Sequence, residues 1–334
     1  MRLSILIPVY NVDIYLPELL QKLSLNLLPN IEIIFYNDAS TDNSLSLIND
    51  FKLTYPNANI HILCGLENVG LTRARGKLID ASNAEYIWFI DADDIVESSF
   101  FDRILSILEQ DKPDLVLFNY DVFFDGTGKI KHHEKLSFYP ENRLVKTSAQ
   151  RIYRTSVLDG KHYFWNKIFR RELILDKVSF DIKAYEDIAY TPIFLQQCQN
   201  FYYLTETIVH YRIRNNSIAQ KMSVNQVYGI QAYIDQARYA AEVVHDTKAQ
   251  AYLLYKVFIY YYRILKNINK SNLSINEKGE LIKLSNELFA LKNISIWQII
   301  NLLINQKMYD KAIKISVLYV GFKFKFKFKF KFKL

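Results

Sequence analysis

Through the first 120 residues, short and nearly continuous apolar runs alternate with stretches in which large apolar side chains recur at three- and four-residue spacing. "RLSILI" is followed by Leu16, Leu19, Leu20, Leu23 and Leu27, and "IEIIFY" by Leu45, Ile48 and Phe51. "NIHILC" and "YIWFI" repeat the scheme, and "DLVLFNY" closes it. The pattern predicts buried strands separated by amphipathic helices, hence an α/β, mostly parallel sheet with helices on both faces. In such sheets ligands bind beyond the carboxyl ends of the strands. Those ends read "PVYN", "YNDASTDNS", "ENVGLTRARG" and "DADD", and all four should converge on one crevice.

Beyond the repeat, the turn residues of "DGTGK" predict an irregular hairpin insertion over 121–146, and residues 147–214 mix short helices and strands. From 222 to 320 the spacing becomes helical throughout, as in Tyr252, Tyr255, Phe258, Ile259 and Tyr262. Residues 321–334 form a tail in which Phe and Lys alternate, so an extended strand there would be apolar on one face and cationic on the other. The expected organisation is an α/β domain over 1–215, a helical region over 222–320, and the tail.

The formal charge of +7 sits almost wholly in that tail, whose six lysines leave the remaining chain near neutrality, so no nucleic-acid-binding body is implied. The two cysteines, Cys64 and Cys198, lie far apart in apolar settings and suit buried thiols in a reducing, cytoplasmic compartment. "MRLSILIPVY" contains Pro8, lacks a small-residue cleavage site and reads as a first strand. No stretch approaches the roughly 20 apolar residues that span a bilayer, so the expectation is a soluble or peripheral protein.

The acidic crowding in "YIWFIDADD" demands a reason, because neighbouring carboxylates repel unless they are solvated or share a cation. Asp91 and Asp93 flank one small residue at a strand end, where a hard divalent ion, Mn2+ or Mg2+, could bridge carboxylate and phosphate oxygens. The alternative is an exposed acidic turn with Asp94 capping the next helix. Asp38 is placed to accept from the imide N–H of a uracil-type base, or is a turn residue; Asp42 suits a helix cap. Gly70 begins a helix carrying Arg73 and Arg75, of which Arg75 is the candidate for the base or diphosphate, against the alternative of two solvated charges.

"SILIPVYNVDIYLPELL", "IEIIFYNDASTDNS", "ENVGLTRARG" and "YIWFIDADD", in this order, resemble the nucleotide-sugar-binding half of a family 2 glycosyltransferase with the GT-A fold. The similarity is strong over residues 1–110 and continues to about 215 through "WNKIFRREL", "YEDIAYTPIF" and "YRIRNNSIA". Two departures stand out: "NDAS" replaces the more usual "DDGS", and the helical end with its tail matches nothing general. The resemblance implies that Pro8, Tyr10 and Asn11 border the base, Asp38 reads it, Asp91 with Ala92 faces the ribose, and Asp93 holds the metal. Its acid pair falls on Glu186 and Asp187, with Asp187 as general base and Glu186 on the acceptor side or turned into the fold. A capping box is the alternative there. Trp165 and Asn166, beside Lys167, could meet an acceptor sugar, the alternative being a core tryptophan beside a surface lysine; His210 could complete the metal site or be structural, and Arg212 or Arg214 could meet the diphosphate.

The implied activity is inverting, metal-dependent transfer from a UDP-sugar to a saccharide or lipid-linked acceptor of a bacterial surface glycan, on the inner face of the cell membrane, with the tail at the lipid surface. Assembly into a homo-oligomer is left open. A sugar-nucleotide nucleotidyltransferase shares the architecture, but "PVYNVDIYL" offers no glycine to wrap a triphosphate. A non-catalytic membrane adaptor would leave Asp93 and Asp187 without a role.

Overall fold

A computed structural model describes residues 1–137, 142–182, 184–214, 222–290 and 295–325. The chain divides into two compact units, Met1–Ile218 and Ala219–Leu334.

The first unit opens with four parallel strands, β1 (Leu3–Val9), β2 (Ile31–Asn37), β3 (Ile60–Cys64) and β4 (Tyr86–Phe89), in the order β3-β2-β1-β4. Three helices connect them: α1 (Leu16–Ser24), α2 (Ser44–Thr54) and α3 (Leu71–Ala81). Helix α1 buries Leu16, Leu19, Leu20 and Leu23, the stripe expected from the spacing. Strand β2 is buried along its whole length and β1 nearly so, as a sheet covered on both faces requires. Cys64, expected to be buried, is exposed because β3 is the outer strand; Cys198 is buried as expected.

After β5 (Ile95–Val96) and α4 (Phe101–Gln110), the sheet becomes mixed. Strand β6 (Leu115–Phe124) turns through Gly126 and Gly128, both at positive φ, into β7 (Ile130–Glu134), which confirms the hairpin. Then follow β8 (Leu144–Lys146), α5 (Ala149–Asp159), β9 (Lys167–Arg170), α6 (Glu186–Leu195) and β10 (Asn200–Ile213). Strand β9 lies between β4 and β6, antiparallel to both, and β10 runs parallel to β6. The parallel expectation thus holds for the first four strands and yields to a mixed sheet where the returning chain inserts β9. Trp88 at the centre is fully buried and donates from Nε1 to the carbonyl of Trp165 at 2.8 Å, tying β4 to the segment entering β9.

The second unit is helical, as its periodicity predicts: α7 (Val224–Val227), α8 (Gly229–Glu242), α9 (Thr247–Lys270), α10 (Ile275–Ala290), α11 (Ile296–Asn305) and α12 (Tyr309–Lys325). Helix α12 extends through Phe322–Lys325, where the alternation suggested an extended strand; the rest of the tail lies outside the described residues. Among the described residues no helix is long and apolar enough to cross a membrane.

Candidate active site

The loops after β1 and β2 are stapled together. Asn11, at φ 50°, accepts on Oδ1 from Thr41 N–H at 2.8 Å, and its own N–H donates to Ser40 Oγ at 3.2 Å. Val12 N–H donates to Ser44 Oγ, and Asp13 N–H to Asp42 Oδ2, both at 3.0 Å. Asp42 also accepts from Ser44 N–H at 2.9 Å in the turn before α2, whose N-cap is Asn43 without a side-chain cap, so Asp42 secures the turn and does not take the expected capping position. Burial opposes ionisation of Asp42, but these donors from Asp13 and Ser44 hold its pKa below the usual carboxylate value. Pro8 lies in β1 opposite Tyr36, and Tyr10 stands exposed just beyond the strand.

Asp38 is buried, with Oδ1 accepting from Val69 N–H at 2.8 Å and Oδ2 from Gly70 N–H at 2.9 Å. The carboxylate expected to read a base edge therefore anchors the turn into α3, where Gly70 adopts φ 86°. Its negative charge at the start of α3 also complements the helix dipole.

At the end of β4, the three acids do not form an exposed turn. Asp94 is buried and accepts on Oδ1 from the Arg212 N–H at 2.9 Å; it caps no helix. Burial raises its pKa well above the usual value, and Asp93 and Asp91 add to the effect. Asp93 lies 2.8 Å through Oδ2 from Arg214 Nε, and Asp91 2.7 Å through Oδ1 from Arg75 Nη2. Ala92 between them is buried. Three arginines thus meet the acidic cluster, Arg212 through its backbone, and this resolves the repulsion that its sequence poses.

Arg75 is the centre of the arrangement. It is 1% exposed, although an arginine two residues from the solvated Arg73 was expected to face water or ligand. Besides Asp91, its Nη1 contacts Glu186 Oε1 and lies 3.3 Å from Asp187 Oδ1. The guanidinium carbon stands 5.1 Å from the Phe164 ring centroid and 5.7 Å from that of Phe89. Its proposed contact with the donor is thereby replaced by a scaffold of three carboxylates. Glu186 is buried, accepts from Thr72 Oγ1 at 3.3 Å, and so is the member turned into the fold. No side-chain cap is formed at the start of α6, which excludes the capping box.

Asp187 keeps 24% of its side chain exposed. Burial pushes its carboxyl up to about 7; the Arg75 charge opposes this, while Glu186 and Asp91 reinforce it. Tyr185, at φ 65°, turns the chain so that both acids enter the first turn of α6.

The "WNK" segment is more interior than its acceptor role requires. Trp165 is 2% exposed, stacked between Tyr163 (4.8 Å) and Tyr211 (5.6 Å) and set edge-on to Tyr120 (4.6 Å), so it is a core residue. Asn166 is fully buried. Its Oδ1 accepts from Lys167 Nζ at 2.7 Å, and that ammonium also reaches the carbonyls of Tyr163 and Lys161 at 2.7 and 2.9 Å. Burial lowers the Lys167 pKa to about 7, against the charges of Asp187 and Asp159. Lys167 was expected at the surface, and its position on a buried strand start is the sequence signal for this role.

Arg212 is 8% exposed and bound to Asp93 O (2.8 Å), Asp125 Oδ1 (3.0 Å) and Glu18 Oε2 (2.5 Å), over the rings of Tyr15 and Phe123. It braces the acidic turn, and Arg214 occupies the position facing Asp93. His210 pairs across the sheet with Asp121, Nδ1 to Oδ2 at 3.5 Å, and lies 4.0 Å from Glu97. The structure therefore does not bring it to Asp93.

Among the described residues, no three His, Cys, Asp or Glu side chains are arranged to hold a metal ion by themselves. Asp93 is 21% exposed and offers a one-carboxylate seat. That suits a hard divalent ion whose remaining ligands are substrate phosphate oxygens and water.

A family profile described as Glycosyl transferase family 2 matches residues 4–175, just over half of the chain. The chain belongs to that family. EpsH of Bacillus subtilis is 31% identical over 226 residues, covering 65% of this chain and 62% of EpsH. The minor teichoic acid biosynthesis protein GgaB of the same organism is 24% identical over 300 residues, covering 86% of this chain and 32% of GgaB. The match thus spans less than two thirds of either relative. Among solved structures, residues 1–349 of S. aureus TarS in complex with UDP superpose with a TM-score of 0.65 at 18% identity, covering 96% of this chain and 92% of that one. The family 2 chain has the GT-A fold.

Proposed function

We propose that this chain is an inverting, metal-assisted glycosyltransferase that moves a sugar from a UDP-sugar onto a saccharide acceptor of a bacterial surface glycan. The observation that carries the proposal is the shared guanidinium of Arg75, which binds Asp91 at the end of β4 and Asp187 at the start of α6. Two carboxylates with different tasks are thereby fixed on one rigid group.

Asp187 is suited to take the proton from the acceptor hydroxyl as that oxygen attacks the anomeric carbon. A carboxyl raised to about 7 is a stronger base than a solvated one and is still largely ionised slightly above neutrality. Attack from the face opposite the leaving nucleotide inverts the anomeric centre. Held by Asp93 on the diphosphate, Mn2+ or Mg2+ would neutralise the charge of the departing nucleotide. Arg214, already 2.8 Å from Asp93, adds a second positive group beside the leaving oxygens. The stapled loops carrying Tyr10, Asn11 and Asp38 then shape the base end, with the Asp38 carboxylate holding the turn that borders it.

UDP as the nucleotide is supported by the UDP complex of the TarS neighbour, and a surface polymer by the teichoic acid role in the name of GgaB. We place the acceptor at the inner face of the cell membrane, where the alternating Phe and Lys of the tail sequence would suit peripheral attachment. The deciding experiment is a UDP-sugar panel assayed with Mn2+ for release of UDP, for wild type and Asp187→Asn. UDP release by wild type and its loss in the variant, with donor affinity retained, support the proposal. Pyrophosphate release would instead show a nucleotidyltransferase, and absence of turnover with every donor would remove the catalytic assignment.

A further inference from the structure

Helices α11 and α12 display an apolar surface that their own packing leaves uncovered. Helix α11 contains no charged residue and buries Ile296, Ile299, Ile300 and Leu303. Trp297 and Ile304, two turns apart on one face, are nevertheless 60% and 44% exposed. In α12, Ala312 and Ile315 are buried, whereas Ile313, Val317 and Val320 are each more than half exposed, and so is Tyr309 one turn earlier. The spacing of four, four and three residues places those four on one stripe. Exposed apolar side chains aligned along each helix in this way mark an interaction site, unlike isolated exposed leucines.

Charge identifies the occupant. Between residues 296 and 320 the only acid is Asp310, which pairs with Lys311 at 3.1 Å. Lys307 and Lys314 are exposed beside the stripe, and the sequence continues directly into six Phe and six Lys with no acid. Apolar side chains including an exposed tryptophan, bordered by lysines, are the pattern of a surface resting at the headgroup boundary of an anionic bilayer.

We propose that the α11–α12 face is a lipid-docking surface that seats the enzyme on anionic membranes. This rests on the assignment of the enzyme to a membrane-assembled acceptor, and it locates the contact on folded residues.

The three tryptophans provide a direct test, because Trp88 and Trp165 are buried at 0% and 2% exposure while Trp297 is exposed. The full chain is mixed with vesicles of phosphatidylglycerol and phosphatidylcholine, or of phosphatidylcholine alone, and intrinsic emission, acrylamide quenching and co-sedimentation are recorded. Binding to anionic vesicles with a blue shift and loss of quenching is expected. Ile313→Gln with Val317→Gln should weaken binding at least tenfold while leaving UDP release from the donor unchanged.

A second variant replaces the six tail lysines by glutamine. Binding that depends on those lysines but proceeds without any change in Trp297 emission would overturn the docking face and leave the glycosyltransferase assignment intact. Equal binding to neutral vesicles would also overturn it. So would a face variant that alters only the oligomeric state, since a second copy would then be the occupant. Failure of the catalytic assignment shows separately, as absent UDP release without vesicles.

Discussion

Nη1 of Arg75 lies 3.3 Å from Oδ1 of Asp187, so the base proposed for the acceptor hydroxyl is held by the same guanidinium that binds Asp91. Replacing Arg75 by Met leaves three carboxylates facing one another without a cation. A loss of about 3–5 kcal/mol is expected from breaking such a buried pair, measured by denaturant unfolding. The folded fraction should also show its acid limb of kcat displaced to higher pH, because the charge that opposes protonation of Asp187 is gone. Arg75→Lys, which keeps the charge without the fork, should restore part of both.

The rate should rise with pH through about 7, since only the ionised Asp187 can accept a proton and its carboxyl is raised to about that value. Asp187→Asn should lower kcat by about 10²–10⁴-fold with little change in donor affinity. The same group has the opposite effect on folding. Between its unfolded pKa near 4 and its native value near 7, the native state binds the extra proton, so its contribution to stability falls as pH rises through that window. Comparing urea midpoints of wild type and Asp187→Asn from pH 4 to 8 would reveal this slope.

Asp93→Asn should make catalysis far less responsive to Mn2+ and weaken metal-assisted donor capture. Calorimetric titration of the donor with and without Mn2+ checks this. An unchanged metal dependence would move the seat elsewhere.

Trp165→Ala should reduce stability by about 3–5 kcal/mol, as expected for emptying a site packed by Tyr120, Tyr163 and Tyr211. Acceptor KM of the folded enzyme should change little. A selective rise in acceptor KM at unchanged stability would restore the sugar-stacking role.

Asp38→Ala removes the acceptor for two backbone N–H groups and should loosen the turn into α3. Donor KM is expected to rise more than kcat falls, because the turn is proposed to border the donor and lies away from Asp187 along the chain. Gly70→Ala tests the same turn through its backbone. The position, at φ 86° and ψ 159°, has open space for a methyl group but a backbone conformation essentially reserved for glycine, so a penalty of about 1–3 kcal/mol should come from conformation alone.

The strand ends were legible because period and polarity change together there, and this located the acidic tip of β4 and the loops of β1 to β3. The role of Arg75 was obscured by Arg73, which is exposed and pairs with Asp181. Two residues along a helix turn the side chain by about 200°, so Arg75 falls with Thr72, Leu78 and Ile79 on the buried stripe. An arginine in phase with that stripe was a usable sign. Trp165 offered none, since the rings enclosing it come from residues 120, 163 and 211 and meet only in the folded sheet. His210 and Arg212 were misplaced for a related reason: their partners, Asp121, Asp125 and Glu18, belong to a strand, a turn and a helix whose neighbourhood one-dimensional spacing does not record.

The insertion of β9 between β4 and β6 has a consequence for the nascent chain. As the polypeptide leaves the ribosome, the first four strands can pair locally, but their sheet lacks its central neighbour until residues 167–170 arrive from well downstream. The late strand begins with Lys167 and is followed by the acids that grip Arg75, so the long-range closure that completes the sheet also completes the proposed catalytic centre. An incompletely synthesised chain therefore has little opportunity to act on donor before its architecture is finished.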